Sequence, residues 1–586
     1  MKKISLCLLL LAVVVLMAAS GCGGGSSAVS RSARRSVVIT IHWPANTRVI
    51  PAAAQSITVA ISQTGQQTQT KTAIRPTGSN SSSLSFNNLA VGAATITATA
   101  YPNSNGTGVA QGVGTGIVQV QPNTSVTASL TMASTITQLK LVGAAPSGSV
   151  GLPIALAVSA LDASNNVVIT GLSDWKWQAP ATGALTPTGS TAQFEAFAGG
   201  NVSITATETD SGKSVLIPVT VSPGTPALAA TGWPKFHGDV LNSGRSAGVG
   251  GSGSVSWQFH AGGSIQSPPA VSFNGDIVFA CEDGYFYDLN RDGTLHWKTL
   301  LGGVSQSGPA VAGTGVVYVG ANDGKLYALN AFTGAIRWTF QANDKIIGPV
   351  NVGPDGTIYF GAGTADRHLY ALTPAGVKKW AAPVGNSVRG GALIDANGNL
   401  YFGSDDGSLY ALNSSGVQLW AFKTGGAVED TPAWNSTTGD VVFGSDDGFL
   451  YSVTPGGTLA WKFQTGDANS ASPAIGPHGD VYAGSADHNI YAVSATGASE
   501  WQTLTGDVVT CSPAVDGAGN IYVASDDHIL YALNPSGVVM WKVVCGDLDT
   551  SSPAIGADGT VYVGTDSPDL GEPNTTGVSN TLFAIH

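Results

Sequence analysis

Arg389, Glu429 and Asp430 are the residues whose types and spacing best equip this chain to act on another molecule. They belong to a position that recurs two residues before the Pro of a Ser-Pro-Ala-Val-like run. Aligned on that Pro, the position holds Ser267, Ser307, Ile347, Arg389, Asp430, Ala471, Cys511 and Ser551. It turns charged in two successive copies, with Glu429 alongside. A guanidinium beside two carboxylates forms an ion pair or grips a charged ligand. The spacing predicts an Arg389–Asp430 pair, with the hydroxyls of Ser267, Ser307 and Ser551 offered from the same ring of positions.

Other reactive types are scattered. Glu282, Asp283, Asp323, Asp405, Asp406, Asp446, Asp447, Asp487, Asp526, Asp527 and Asp566 crowd one turn of each copy. No further carboxylate follows at calcium-loop spacing, so they read as turn residues on a solvated rim. His488 and His528 replace a turn Gly without a third ligand in view. Beyond Cys7 and Cys22, only Cys281, Cys511 and Cys545 remain, with no adjacent pair, CxxC or haem spacing. Cys511 and Cys545 fall at opposite edges of one sheet, about three strand spacings or roughly 14 Å apart, beyond disulfide reach. Three buried thiols are expected.

The elements that position these residues form a repeat. Trp recurs at 257, 297, 338, 380, 420, 461, 501 and 541, at intervals of 40 to 42 residues. Each interval carries a Ser-Pro-Ala-Val-like run, then one like Val-Tyr-Val-Gly, then one like Leu-Tyr-Ala-Leu-Asn. Four short strands per period of about 40 make one propeller blade. Asp-Gly and Asn-Gly pairs between the runs supply the left-handed residues of tight hairpins. The last third-strand run, LFAI at 582–585, has no outer partner after it. SVSWQFH at 254–260 is expected to complete that blade, hiding two edges at once. The fold predicted for 254–586 is an eight-bladed β-propeller, with the pre-Pro positions around the mouth of its channel.

Upstream, Lys2 and Lys3 precede an apolar run that ends in small residues before Cys22, the pattern of a secretion signal over 1–22. Residues 23–36 read as a flexible tether. Short alternating runs over 37–133 and 134–223 predict two small β-sandwiches, and a Pro/Gly/Ala linker and lead-in occupy 224–253. The seam loop SPDLGEPNTTGVSN at 567–580 is a long insertion of the kind that carries contacts.

Charge narrows the partners. Charged residues are 11% of the chain, and the net charge of −12 is unevenly spread: residues 1–230 hold 11 basic and 5 acidic side chains, the remainder 14 and 32. An acidic body disfavours nucleic acid and suits a basic partner.

Three resemblances add to this. The residues around Cys22 resemble a bacterial lipobox, which implies acylation of that Cys and membrane anchoring by lipid. Residues 134–223 resemble bacterial immunoglobulin-like domains. ALNAFTGAIRW at 328–338 and the lead-in WPKFHGDVLNSGRS at 233–246 resemble the pyrroloquinoline-quinone (PQQ)-type repeat family. That family includes quinone-dependent dehydrogenases, which hold PQQ between a Trp and a ring of adjacent disulfide-bonded Cys beside Ca²⁺. It also includes a non-catalytic lipoprotein of outer-membrane protein assembly. No Cys-Cys occurs here, so no catalytic or cofactor position carries over. The expectation is an all-β, lipid-anchored cell-envelope binding or scaffold protein that is not an enzyme. It needs no cofactor and binds an envelope protein or polysaccharide. A PQQ-dependent oxidoreductase and an outer-membrane assembly lipoprotein are the alternatives.

Overall fold

The computed structural model describes residues 36–42, 54–76, 81–122, 125–126, 133–180, 182–197, 199–224, 226–546, 551–566 and 579–586. The signal, the tether through residue 35 and most of the seam loop lie outside them, as does Cys22. Among the described residues the regular structure is β apart from two short 3₁₀ turns, and no helix is long and apolar enough to cross a membrane. The chain divides into an N-terminal unit, mainly 36–222, and a C-terminal unit, mainly 223–586.

In the N-terminal unit a three-stranded sheet (Ser81–Asn87, Ser36–His42, Ser125–Val126) and a five-stranded sheet share one apolar core. Alternation in Ser56–Ser62 puts Ile57, Val59 and Ile61 inward. Two four-stranded sheets follow; Pro153–Leu161 pairs with Thr191–Ala196 through its first half and with Gln138–Leu141 through its second. Trp175 is buried and donates its indole N–H to Thr170 at 2.8 Å.

In the C-terminal unit the described residues form eight four-stranded antiparallel sheets. Seven are simple meanders, such as Ala310–Ala312, Val316–Gly320, Lys325–Asn330 and Ile336–Gln341. The eighth joins the chain ends: Val255–His260 pairs antiparallel with Thr581–Ile585, Trp257 opposite Ala584. The innermost strand of the first sheet, Ala270–Val271, lies beside those of the second and the eighth. Inner strands are buried on both faces, as Val316–Gly320 is throughout, while outer strands alternate exposed and half-buried.

Each Trp fastens its sheet to the next. All eight indole N–H groups donate to a carbonyl in the adjoining turn, at 2.8–3.3 Å. The last, Trp541, reaches Gly251, the segment leading into the first Trp strand. The ring face is covered by a left-handed Gly of that turn. Gly416, at φ +79°, sits where a Cβ would come within 2.6 Å of Trp380.

One end of the central channel is closed by the lead-in. Its carbonyls at Trp233, Pro234, Val240, Leu241, Ser243 and Gly244 accept from Val271, Val311, Ile394, Trp434, Ile475 and Val515, the inner strands of six sheets. Lys235 is sealed in this plug, donating to Phe236 O and Asn242 Oδ1, both at 2.5 Å. Asn242 in turn donates to Pro432 O.

Candidate functional site

The other end opens as a funnel of about 290 Å³, with Phe236 of the plug among its lining residues. The segments that enter the inner strands position the wall. In six sheets one residue of that segment donates its N–H to the end of the preceding sheet's second strand: Ile265, Ile346, Val388, Val428, Asn469 and Val509. The following residue projects into the funnel. These are Gln266, Ile347, Arg389, Glu429, Ser470 and Thr510, joined by Gln306 from the second sheet.

This register corrects the predicted site. The pre-Pro segment is one residue shorter in the third and fourth sheets, so alignment on the Pro put Arg389 level with Asp430. Structurally Arg389 is level with Glu429. Its Nε donates to Asp405 Oδ2 at 2.8 Å and lies 3.6 Å from Glu429 Oε1. The expected Arg389–Asp430 pair is replaced by these two contacts. Asp430 is 3% exposed, and its Oδ2 accepts from the Gly444 N–H at 2.6 Å. Ser267, Ser307 and Ser551 are buried too. Ser267 donates to Ser307 O, Ser307 to Gly348 O, and Ser551 accepts from Gly564 N. They stitch strands together, because a side chain one place further along the segment points under the neighbouring sheet.

The acidic turns split into two sets. In seven sheets the second turn residue accepts from a third-strand tyrosine, as Asp406 does from Tyr410 at 2.6 Å and Asp447 from Tyr451 at 2.8 Å. Those carboxylates are structural. The first turn residue faces the funnel wall. Glu282 accepts from Gln306, Asp526 from Thr510, Asp566 from Gln266, and Asp405 from Arg389. Asp446 completes the collar by its electrostatic coupling to Glu429. Sequence alone merged the sets because they are adjacent, as in Asp405-Asp406 and Asp526-Asp527.

Among the described residues, Asp405, Glu429 and Asp446 thus act on the Arg389 guanidinium, while Glu282, Asp526 and Asp566 stand behind Gln306, Thr510 and Gln266 around the rest of the wall. Burial raises the Glu429 carboxyl above its usual range, Arg389 opposing and Asp405 and Asp446 reinforcing. Asp446 is raised first by burial and then by Asp405. Burial holds Asp430 well above the carboxylate range. A pit with this wall attracts ammonium or guanidinium groups and repels anions.

Residues 246–391, 282–446, 365–503 and 446–577 each match the family model described as outer membrane protein assembly factor BamB. Together the matches span more than half of the chain. The chain belongs to this PQQ-like repeat family. Among solved structures it resembles a europium-containing methanol dehydrogenase, with TM-score 0.51, 14% identity, and 62% of this chain and 98% of that chain covered. It also resembles the quinohemoprotein alcohol dehydrogenase of Comamonas testosteroni (TM-score 0.50, 14% identity, 60% and 80% covered). BamB from Moraxella catarrhalis aligns at TM-score 0.46 and 18% identity over 57% of this chain and 97% of that one. At these identities the likeness is one of fold. A search of curated proteins finds no match.

A quinone of the dehydrogenase type finds a poor fit in this family member. Among the described residues, the funnel lining contains neither Trp nor Cys. Cys281, Cys511 and Cys545 are buried thiols elsewhere; Cys511 Sγ contacts Ser551 O at 3.5 Å, and burial pushes Cys281 and Cys545 up to about 12. His488 and His528 occupy left-handed turns at φ 70° and belong to no candidate ligand cluster among the described residues.

Proposed function

We propose that this chain is a non-catalytic envelope protein whose eight sheets close into one eight-bladed wheel and whose acidic funnel binds a cationic segment of a protein partner. Cys22 would carry the lipid anchor, and the sandwiches over 37–133 and 134–223, the second immunoglobulin-like, would form the stalk. The observation that carries the reading is the acidic wall, with Asp405, Glu429 and Asp446 about Arg389 and Glu282, Asp526 and Asp566 behind other lining side chains, above a floor closed by the lead-in. A blind pit of one sign recognises an inserted side chain or chain end and, through the field of the collar, steers oppositely charged groups toward it.

The test is fluorescence anisotropy with labelled Lys/Arg-rich and Asp/Glu-rich peptides at two salt concentrations. The cationic peptide should bind, weaken with salt, and lose most of its affinity to Glu429→Lys. Equal binding of both peptides, or indifference to that substitution, would overturn the proposal. The family model favours one second reading, a role in outer-membrane protein assembly. Co-purification of the full chain with β-barrel assembly components would support it. Turnover of an alcohol by the chain with added PQQ and Ca²⁺ would favour an enzyme instead.

A further inference from the structure

Opposite the outer-strand Trp, the third strand of each sheet carries a small residue: Ala328, Ala371, Ala411, Ser452, Ala492, Ala532 and Ala584. In the first sheet that residue is Asp288, opposite Trp297. Asp288 is fully buried, and neither of its carboxylate oxygens has a hydrogen-bond partner. A charged carboxylate in that state is strongly disfavoured, and either a proton or a cation must neutralise it.

Two further donors converge on it. Asp276 stands immediately before the second strand, Ile277–Ala280, and His296 is the extra residue of the outer-strand bulge opposite Asp288 and Leu289. His296 Nδ1 lies 3.5 Å from Asp276 Oδ2 and 3.7 Å from Asp288 Oδ2. One ligand atom from each of the three lies within 4.8 Å of the others. At 3.7 Å the imidazole is beyond hydrogen-bond reach of Asp288. Ligands about 2.1 Å from a tetrahedral ion are about 3.4 Å apart, so a small inward adjustment brings the set to metal spacing. Elsewhere the same three places hold sets such as Thr357, Ala371 and Lys379, or Asn399, Ala411 and Leu419. In the fifth sheet Asp440 takes the Ser452 hydroxyl instead.

We propose that Asp276, Asp288 and His296 bind a divalent transition-metal ion, with zinc the best match. Two carboxylates and one imidazole suit a borderline ion, whereas calcium requires six to eight oxygens. The Asp288 side chain is 0% exposed, Asp276 16% and His296 38%. The ion would therefore sit at the outer part of the sheet, with its fourth position toward solvent. Burial pushes the Asp288 carboxyl up to about 7, His296 opposing and Asp276 reinforcing.

The test is calorimetric titration of the chelator-stripped full chain with Zn²⁺, alongside thermal unfolding and the visible spectrum of the Co²⁺ form. Wild type should take up one equivalent, melt higher with Zn²⁺, and give a Co²⁺ spectrum without a thiolate band. Asp288→Ala installs the residue found in six other sheets, so it should fold. It should bind Zn²⁺ about tenfold or more weakly and gain no thermal stability from it, and His296→Ala should behave alike. The site is overturned if wild type takes up no ion, or if both variants bind and are stabilised as wild type is.

Discussion

Arg389 decides how negative the funnel is, because among the described residues it is the one cationic side chain that lines it, opposing Glu429 and the turn carboxylates. Arg389→Ala should therefore bind a Lys-rich peptide several-fold more tightly and with steeper salt dependence, read by anisotropy across a salt series. Lys235 governs the opposite end. It is 2% exposed, and burial pushes its ammonium down to about 7, with Asp239 opposing weakly. Between about pH 7 and the ordinary lysine value near 10.4, the unfolded chain holds a proton that the folded chain has released. Raising the pH through that window therefore favours the fold, at up to about 1.4 kcal/mol per unit. Urea unfolding from pH 7 to 10 should show wild type gaining stability relative to Lys235→Met, the difference flattening below pH 7. A parallel course for both proteins would contradict a neutral buried amine.

At the scale of elements, the contact between an outer-strand Trp and the next turn is what makes neighbouring sheets cohere. Gly416 tests it: its φ is +79° and a Cβ would meet Trp380 at 2.6 Å. Gly439, at φ +78°, lies in open space. Alanine at 439 should cost only left-handed backbone strain, about 1–2 kcal/mol. At 416 the overpacking of the indole adds about 1–3 kcal/mol. Chemical denaturation of the two variants gives the comparison, and equal losses would mean the Trp is not held by its turn. The hairpins were legible because Asp-Gly and Asn-Gly report a local demand for positive φ. Turns closed by Arg367, His488 and His528, at φ 58–70°, carry no such signal.

For the whole molecule, the seam between chain ends is the critical joint. Val255–His260 supplies the outer strand of the eighth sheet, and Gly251 accepts the Trp541 indole N–H. A chain beginning at residue 262 loses both and leaves an unpaired edge on Thr581–Ile585. It should bind a hydrophobic dye and self-associate in sedimentation, whereas a chain beginning at residue 226 should do neither. Loss of the plug segment in the shorter chain also removes backbone partners of six inner strands.

The sequence by itself determined the eight repeats, their strand order and the strand exchanged between the ends, because strand alternation, turn chemistry and a recurring Trp are local demands copied in every period. The funnel residues were only half legible. The Trp-to-Pro separation is 12 residues in most copies but 11 from Trp338 to Pro349, and also 11 from Trp380 to Gly391. That one-residue difference carries Arg389 from the buried place to the exposed one. Only the tertiary structure decided which member of an acidic pair such as Asp405-Asp406 bonds a funnel-lining side chain, that Arg389 meets Asp405, and that Asp276 and His296 converge on Asp288. Those relations run between strands and between sheets, where a side chain's direction depends on register and bulges that spacing along the chain does not fix.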